Sequence, residues 1–384
     1  MENKTLLILG GYGNTGRPLA RLLLQESNAQ LVLAGRNLEK AQVFANQLNH
    51  AFEGNRVCGA CVDASDLVSL RQAFASVDFV VVASSTTQFT SQVATAAVEA
   101  RIGYLDVQYS AKKVALLKSM APAIQQAGCC FITDGGFHPG LPGFMVRYIA
   151  GFFDQLLTAR VGSVIKEDWK HLKVEDATVY ELMELMNDYD MSIFKNGKWK
   201  KVSLFSTSDY VRMDFGRDFG IQFCAPMLLE EMRALPELFP TLQDTGFYVG
   251  SFNWFTDWVI LPVAMIAMKL WPRAALKPMA RWMHWGLRTF SKPPYGTLLK
   301  VEATGVKDGQ PKKAQLIISQ PDGYLFTAIP VAACLLQYLD GSINRPGLWM
   351  QALIVEPNRF MRDMQHMGIN ITKVGGGIDE MEPE

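Results

Sequence analysis

Thr5-Leu-Leu-Ile-Leu-Gly10-Gly-Tyr-Gly-Asn-Thr-Gly16 is the stretch on which the fold of this 384-residue chain turns. Leu6 to Leu9 is a continuous apolar run of strand length, and Asn14 to Glu26 carries Leu19, Leu22 and Leu23 at helical spacing. Between them the glycines satisfy G-x-G-x-x-G through Gly11, Gly13 and Gly16, and G-x-x-G-x-x-G through Gly10, Gly13 and Gly16. A strand that turns at once into a helix needs a tight turn. A backbone that approaches a pyrophosphate must carry no Cβ there, and the last glycine lets helix and strand pack closely. The first helix then points its free N–H groups at the phosphates. Gly10, Gly11, Tyr12, Gly13, Asn14, Thr15 and Gly16 are therefore the predicted dinucleotide-binding loop.

Outward from this loop the two periods alternate. Apolar runs recur at residues 31–34, 57–62, 79–83, 104–107 and 130–133, and helical patterns separate most of them, as at 38–48, 68–74, 91–100 and 113–126. Strands that are apolar throughout and alternate with helices imply a parallel sheet covered on both faces. The fold class is α/β, with a Rossmann domain over residues 1–140.

The end of the second strand discriminates between cofactors. An NAD site places Asp or Glu there to bond the ribose 2′-hydroxyl. This chain has Ala34-Gly35-Arg36-Asn37, with no carboxylate. A guanidinium suits a 2′-phosphate and can stack on adenine, so Arg36 predicts NADP. The alternative is a solvated arginine beside an NAD site that lacks its acid. Asp63, ending the third strand, is placed to bond the adenine amine. Ser84 and Ser85, with Thr86, end the fourth, where ligands of open α/β sheets bind, and so fall near the nicotinamide.

Composition excludes several classes. Lys plus Arg and Asp plus Glu both number 37, so no excess of positive charge points to nucleic acid. Charged residues make up 19% and hydrophobics 49%, which excludes a disordered chain. Six cysteines are too few for a disulfide framework. Cys58 and Cys61 form a CxxC without a second pair, and read as ordinary core cysteines on a buried strand. No histidine pair has metal-ligand spacing, so no metal is expected. No signal peptide is visible, which predicts a cytoplasmic protein.

Several stretches, in order, resemble the saccharopine dehydrogenase-like family. They are the glycine loop with Ala34-Gly35-Arg36, Gly103-Tyr-Leu-Asp106, Asp134-Gly-Gly-Phe-His-Pro-Gly-Leu-Pro142, Val306-Lys-Asp-Gly309, Asp322-Gly-Tyr324 and Arg345-Pro-Gly-Leu-Trp349. The resemblance implies an NADP-binding Rossmann domain, an inserted α/β domain and C-terminal helices that return to the first domain. The family's activities include saccharopine formation or cleavage, lysine 6-dehydrogenation, carboxynorspermidine synthesis and reduction of lipid-linked enones.

The other residues predict an α+β domain over 141–325, for substrate binding and dimerisation. Residues 159–168 read as a strand, and 174–189 as an amphipathic helix with Val179, Leu182, Met183 and Met186 on one face. Asn196-Gly197 and Asp308-Gly309 predict hairpins. Residues 326–374 are expected as helices packing back on the Rossmann domain, and 375–384 as a disordered tail. Residues 252–290 stand apart. Trp258 to Met268 is uncharged but far short of a spanning helix. Lys269, Arg273, Lys277 and Arg281 then recur every four residues with Trp271, Trp282 and Trp285 among them. Two readings stand: a buried helical pair in the domain core or a homodimer interface, or a pair lying at a membrane surface.

Hydride transfer needs a proton donor near the nicotinamide. Asp106 ends the fifth strand, and His138, with the most suitable unperturbed pKa, follows the sixth. Both are candidate catalytic residues. Tyr109 and Lys113 match Y-x-x-x-K, but Ala96 stands where the partner serine would be, so the match reads as coincidence. Lys166, Asp168 and His171 fall on the predicted strand of the second domain. The expected activity is NADP-dependent hydride exchange with a carbonyl, imine or activated alkene on a small, hydrophobic substrate. Two other readings stand beside it: a non-catalytic NADP-binding protein, membrane-associated or regulatory, and a soluble opine- or lysine-type dehydrogenase.

Overall fold

The computed structural model describes residues 4–171, 190–203 and 207–374. The predicted helix at 174–189 and the tail at 375–384 lie outside these residues. The chain forms two compact units, one joining the segment up to Phe144 with Tyr324–Ile369, the other joining Met145–Gly323 with the residues from Asn370 onward.

The first unit is doubly wound. Its elements run β1 (Thr5–Leu9), α1 (Gly16–Glu26), β2 (Gln30–Gly35), α2 (Leu38–Ala51), β3 (Val57–Cys61), α3 (Leu67–Phe74), β4 (Phe79–Val82), α4 (Thr90–Ala100), β5 (Gly103–Asp106), α5 (Ala111–Gln126) and β6 (Cys130–Thr133). The strands are parallel in the order β3-β2-β1-β4-β5-β6, and Gly347–Met350 adds a seventh beyond β6. All of Leu6–Leu9 and Phe79–Val82 are buried because helices cover both faces of these inner strands. The chain runs one way from β1 to β3 and then returns to β4 on the other side of β1. That reversal is the switch point at which such sheets bind ligands.

Two expectations are corrected here. Cys58 and Cys61 are exposed rather than core residues, because β3 is the edge strand and is only partly covered. Contrary to the expected helical return of 326–374, Asn370–Val374 is a strand that pairs antiparallel with the second sheet. Its alternating exposure is the period of a strand, not of a helix.

After α6 (Leu141–Ala150), the second unit is built on a mixed sheet of β7 (Gln155–Lys166), β8 (Ser192–Lys195), β9 (Lys198–Lys201), β10 (Val211–Asp214), β11 (Ile221–Met227), β12 (Asp244–Val249), β13 (Gly296–Lys307) and β14 (Gln310–Gln320). The two hairpins turn where the sequence predicts them. Asn196 and Gly197 have φ of 51° and 72°, and Asp308 and Gly309 have 51° and 73°, as a type I′ turn requires. Lys166 ends β7, whereas Asp168 and His171 lie past the strand in a turn closed by an Asp168–His171 contact of 2.8 Å. Between β12 and β13 a helical hairpin is inserted. A π-helical turn, Thr256–Ile260, leads into α7 (Leu261–Leu270), and α8 (Pro272–Phe290) runs back. Ile260, Ala264, Met268, Ala275, Ala280, Met283 and Leu287 form its own small core.

Candidate functional site: the strand ends of the first unit

The glycine loop is fixed by backbone geometry. Gly10 has φ of 82°, in the left-handed region. Its N–H donates to Ala34 O at 2.8 Å, and Gly13 N–H donates to Gly10 O at 2.9 Å. A Cβ on Gly16 would stand 2.2 Å from Gly10 O, and one on Gly10 would stand 2.6 Å from Ala83 O and 2.9 Å from Ser84 Cβ. The loops after β1 and β4 therefore touch, and only glycine permits it. Helix α1 starts with no side-chain cap and no acidic residue in its first turn, so its positive end is left for an anion.

Tyr12 couples this loop to the turn after β2. Its hydroxyl oxygen accepts from Asn37 N–H at 3.0 Å, and its ring lies where a side chain on Gly35 would stand. Asn37 in turn caps α2 by accepting from Lys40 N–H. Arg36, between Gly35 and Asn37, is exposed, and among the described residues no hydrogen bond or ion pair takes its guanidinium. Arg17 differs, since its Nε donates to Tyr12 O at 2.8 Å and its guanidinium lies over the Phe44 ring. Asp63 accepts from the backbone N–H and hydroxyl of Ser65 at 2.9 and 2.7 Å. These bonds, and after them the charge of Arg36, hold its carboxyl below the usual range.

After β4, Ser84 Oγ lies 3.0 Å from Thr86 Oγ1, and Ser85 is exposed. The Gln108 amide donates to Ser84 O and reaches Thr86 Oγ1. Beneath Gln108 is a buried ion cluster. Lys113 Nζ donates to Asp106 Oδ1, to Gln108 O and, at 2.8 Å, to Asp134 Oδ1. Thr133 Oγ1 donates to Asp106 Oδ2 at 2.9 Å. Burial alone would push the Lys113 amine down, but Asp106 and Asp134 outweigh it, so the lysine sits above its ordinary range and stays charged. Asp106 thus has both carboxylate oxygens engaged and is 0% exposed. Sequence reasoning met Lys113 only in the Y-x-x-x-K match and set it aside. Its signal was position, since it shares a helix face with the buried Val114 and Leu117.

His138 lies in the turn after β6. Gly135 N–H donates to Asp106 O at 2.8 Å, and buried Gln351 holds both the N–H and the C=O of Gly136 at 3.1 Å. Phe137 stacks on Phe326 and on His138, with centroids 4.8 and 5.7 Å apart. His138 Nε2 has no contact with solvent, and burial lowers the imidazole pKa to about 4. The ring is neutral at pH 7.

Residues 6–129 match the family described as saccharopine dehydrogenase NADP binding domain. No curated protein matches the sequence. Among solved structures, the saccharopine dehydrogenase (L-Glu forming) of Saccharomyces cerevisiae has a TM-score of 0.68 at 15% identity, covering 97% of this chain and 100% of its own. At that identity the likeness is one of fold. The C. glutamicum DAP dehydrogenase has a TM-score of 0.45 at 12% identity, covering 95% of this chain and 99% of its own. Residues 6–129 thus match a saccharopine dehydrogenase NADP-binding domain, in a chain with the fold of saccharopine dehydrogenase.

Proposed function

We propose that this chain is an NADP-dependent oxidoreductase that exchanges a hydride with a carbonyl, imine or activated alkene on a hydrophobic substrate. One observation carries the reading. The glycine loop after β1 touches the hydroxyl-bearing loop after β4, while an unengaged guanidinium stands at the end of β2. These residues fit the cofactor of the matched domain. The absence of a Cβ at Gly16 leaves the loop closed over the open end of α1, where a pyrophosphate binds. Arg36 is available to a 2′-phosphate, and Tyr12 holds the turn that presents it.

NADPH, when bound, supplies the hydride. The protein's part is to bind, orient and handle the proton. Ser84, Ser85 and Thr86 border the reacting end, held from below by Gln108 and Lys113. Asp106 acts here as a positioning residue, because a carboxylate with both oxygens engaged and no exposure meets no substrate. His138, only partly covered where Asp106 is fully buried, meets the substrate as a neutral imidazole, able to donate a hydrogen bond to a developing oxyanion or to take a proton in the reverse direction. The apolar composition of the second unit supports a hydrophobic substrate.

Titration with NADPH and NADH, followed by tryptophan-to-nicotinamide energy transfer, tests the cofactor part. NADPH should bind more tightly, and Arg36→Ala should weaken it about 10- to 100-fold, the worth of a charge-assisted contact. Equal binding of the two would refute the role of Arg36. Screening carbonyl, imine and enone substrates for NADPH consumption tests the reaction. His138→Asn should lower kcat while leaving the Kd for NADPH unchanged.

A further inference from the structure

The helical hairpin of the second unit presents a face that its own core does not use. Of fourteen large apolar side chains exposed among the described residues, seven fall between Trp254 and Trp285. Concentration of this kind marks an interaction site, whereas scattered exposed side chains do not. On α7, Val263, Ile266 and Leu270 share one face, opposite the buried Ala264 and Met268, and Trp258 and Trp271 stand out at either end at 66% and 63% exposure.

Charge has separated along the same element. Residues 258–301 hold seven Lys and Arg and no Asp or Glu, in a chain whose charges balance overall. At 100° per residue, Arg273, Lys277, Arg281, His284 and Arg288 fall within an arc of about 80° on α8. Arg281, His284 and Arg288, with Lys170, Trp285 and Thr289, line an open cavity of about 640 Å³, and among the described residues no acidic side chain lines it.

We propose that this hairpin docks the protein on an anionic membrane surface, the Trp and aliphatic face of α7 entering the headgroup layer and the basic stripe and cavity of α8 taking lipid phosphates. Tryptophan at an apolar–polar boundary beside a lysine and arginine stripe is the composition of a helix that lies in such an interface. Among the described residues no helix is long and apolar enough to cross a membrane, so the hairpin rests on the surface. The charge pattern favours lipid over a second copy of the chain. A two-fold interface would set the basic stripe against itself, and like charges facing each other cost affinity, whereas each Lys or Arg near an anionic surface adds about fivefold. The proposal is independent of the reaction assigned to the first unit.

The test is flotation of the full chain with vesicles of phosphatidylcholine alone and of phosphatidylcholine with phosphatidylserine. Binding should require phosphatidylserine, weaken with added salt and shift tryptophan emission to the blue. Arg281→Glu with Arg288→Glu should abolish it, and Trp258→Ser with Trp271→Ser should weaken it at least tenfold. Both variants should keep wild-type NADPH binding, which reports an intact fold. No binding at low salt, equal binding to both vesicle types, or a wild-type dimer that the tryptophan variant converts to monomer would each overturn the proposal. The last would assign the face to a second copy.

Discussion

Lys113→Met is the sharpest test of how the site is held. The lysine is 2% exposed and its amine touches two carboxylates, Asp106 and Asp134, whose side chains are 0% and 3% exposed. Methionine keeps the volume and removes the charge, leaving two buried carboxylates that touched the same nitrogen. Two like charges are then left facing each other without the counter-charge that held them. Breaking a buried ion pair from one side costs about 3–5 kcal/mol, a large part of the ~5–15 kcal/mol of a typical fold. For a unit of this size each kcal/mol is worth about 2–4 °C, so the first transition should fall by roughly 6–20 °C in scanning calorimetry at pH 7.5. Protonating the carboxylates relieves the repulsion, so the loss should shrink toward pH 5. Lys113→Met with Asp134→Asn should recover part of it. A variant that melts within two or three degrees of wild type at both pH values (roughly one kcal/mol) would refute the reasoning.

Gly16→Ala should lower NADPH affinity at least tenfold with little change in circular dichroism, because the new Cβ would stand 2.2 Å from Gly10 O and must push the loop open. Unchanged affinity would mean that the loop gives way freely. Asp257, mostly buried at the base of the helical hairpin, has its pKa raised by burial to about 7, with the backbone amides of Phe252 and Asn253 offsetting only part. A raised acid stabilises the fold fully below its unfolded pKa of about 4 and loses that contribution as pH rises through about 7. The second unit should therefore lose up to about 4 kcal/mol between pH 4 and 8 through this group, at 1.36 kcal/mol per pH unit. Asp257→Asn should flatten that slope in urea unfolding, and an unchanged slope would count against it.

Much of the first unit is written in local sequence. Leu6–Leu9, the glycines and the Leu19–Leu22–Leu23 face are contiguous, and strand, turn and helix follow from period and from the need for no Cβ. Arg36 is legible for the same reason, since it ends a strand whose position relative to Gly16 is fixed by one βαβ unit. The Asn196-Gly197 turn likewise depends on its own two residues. What failed to show in the sequence depends on partners far along the chain. Cys58 and Cys61 sit in an apolar-looking run, but their exposure is set by β3 being an edge strand, a property of sheet order. The seventh strand, Gly347–Met350, is recognised only by its partner β6, more than two hundred residues earlier. Gln351 becomes a clamp on Gly136 through that pairing. Lys113 has no counter-charge near it in the sequence until β5 and β6 bring Asp106 and Asp134 to the same point. The hairpin at 254–290 could be read as core or as surface, because amphipathic spacing marks two faces without saying which is covered. Local periods and turn residues need only neighbours a few positions away, so the sequence determined them. Edge position, buried charge pairing and the free face of a helix are set by long-range packing, and the tertiary structure alone decided them.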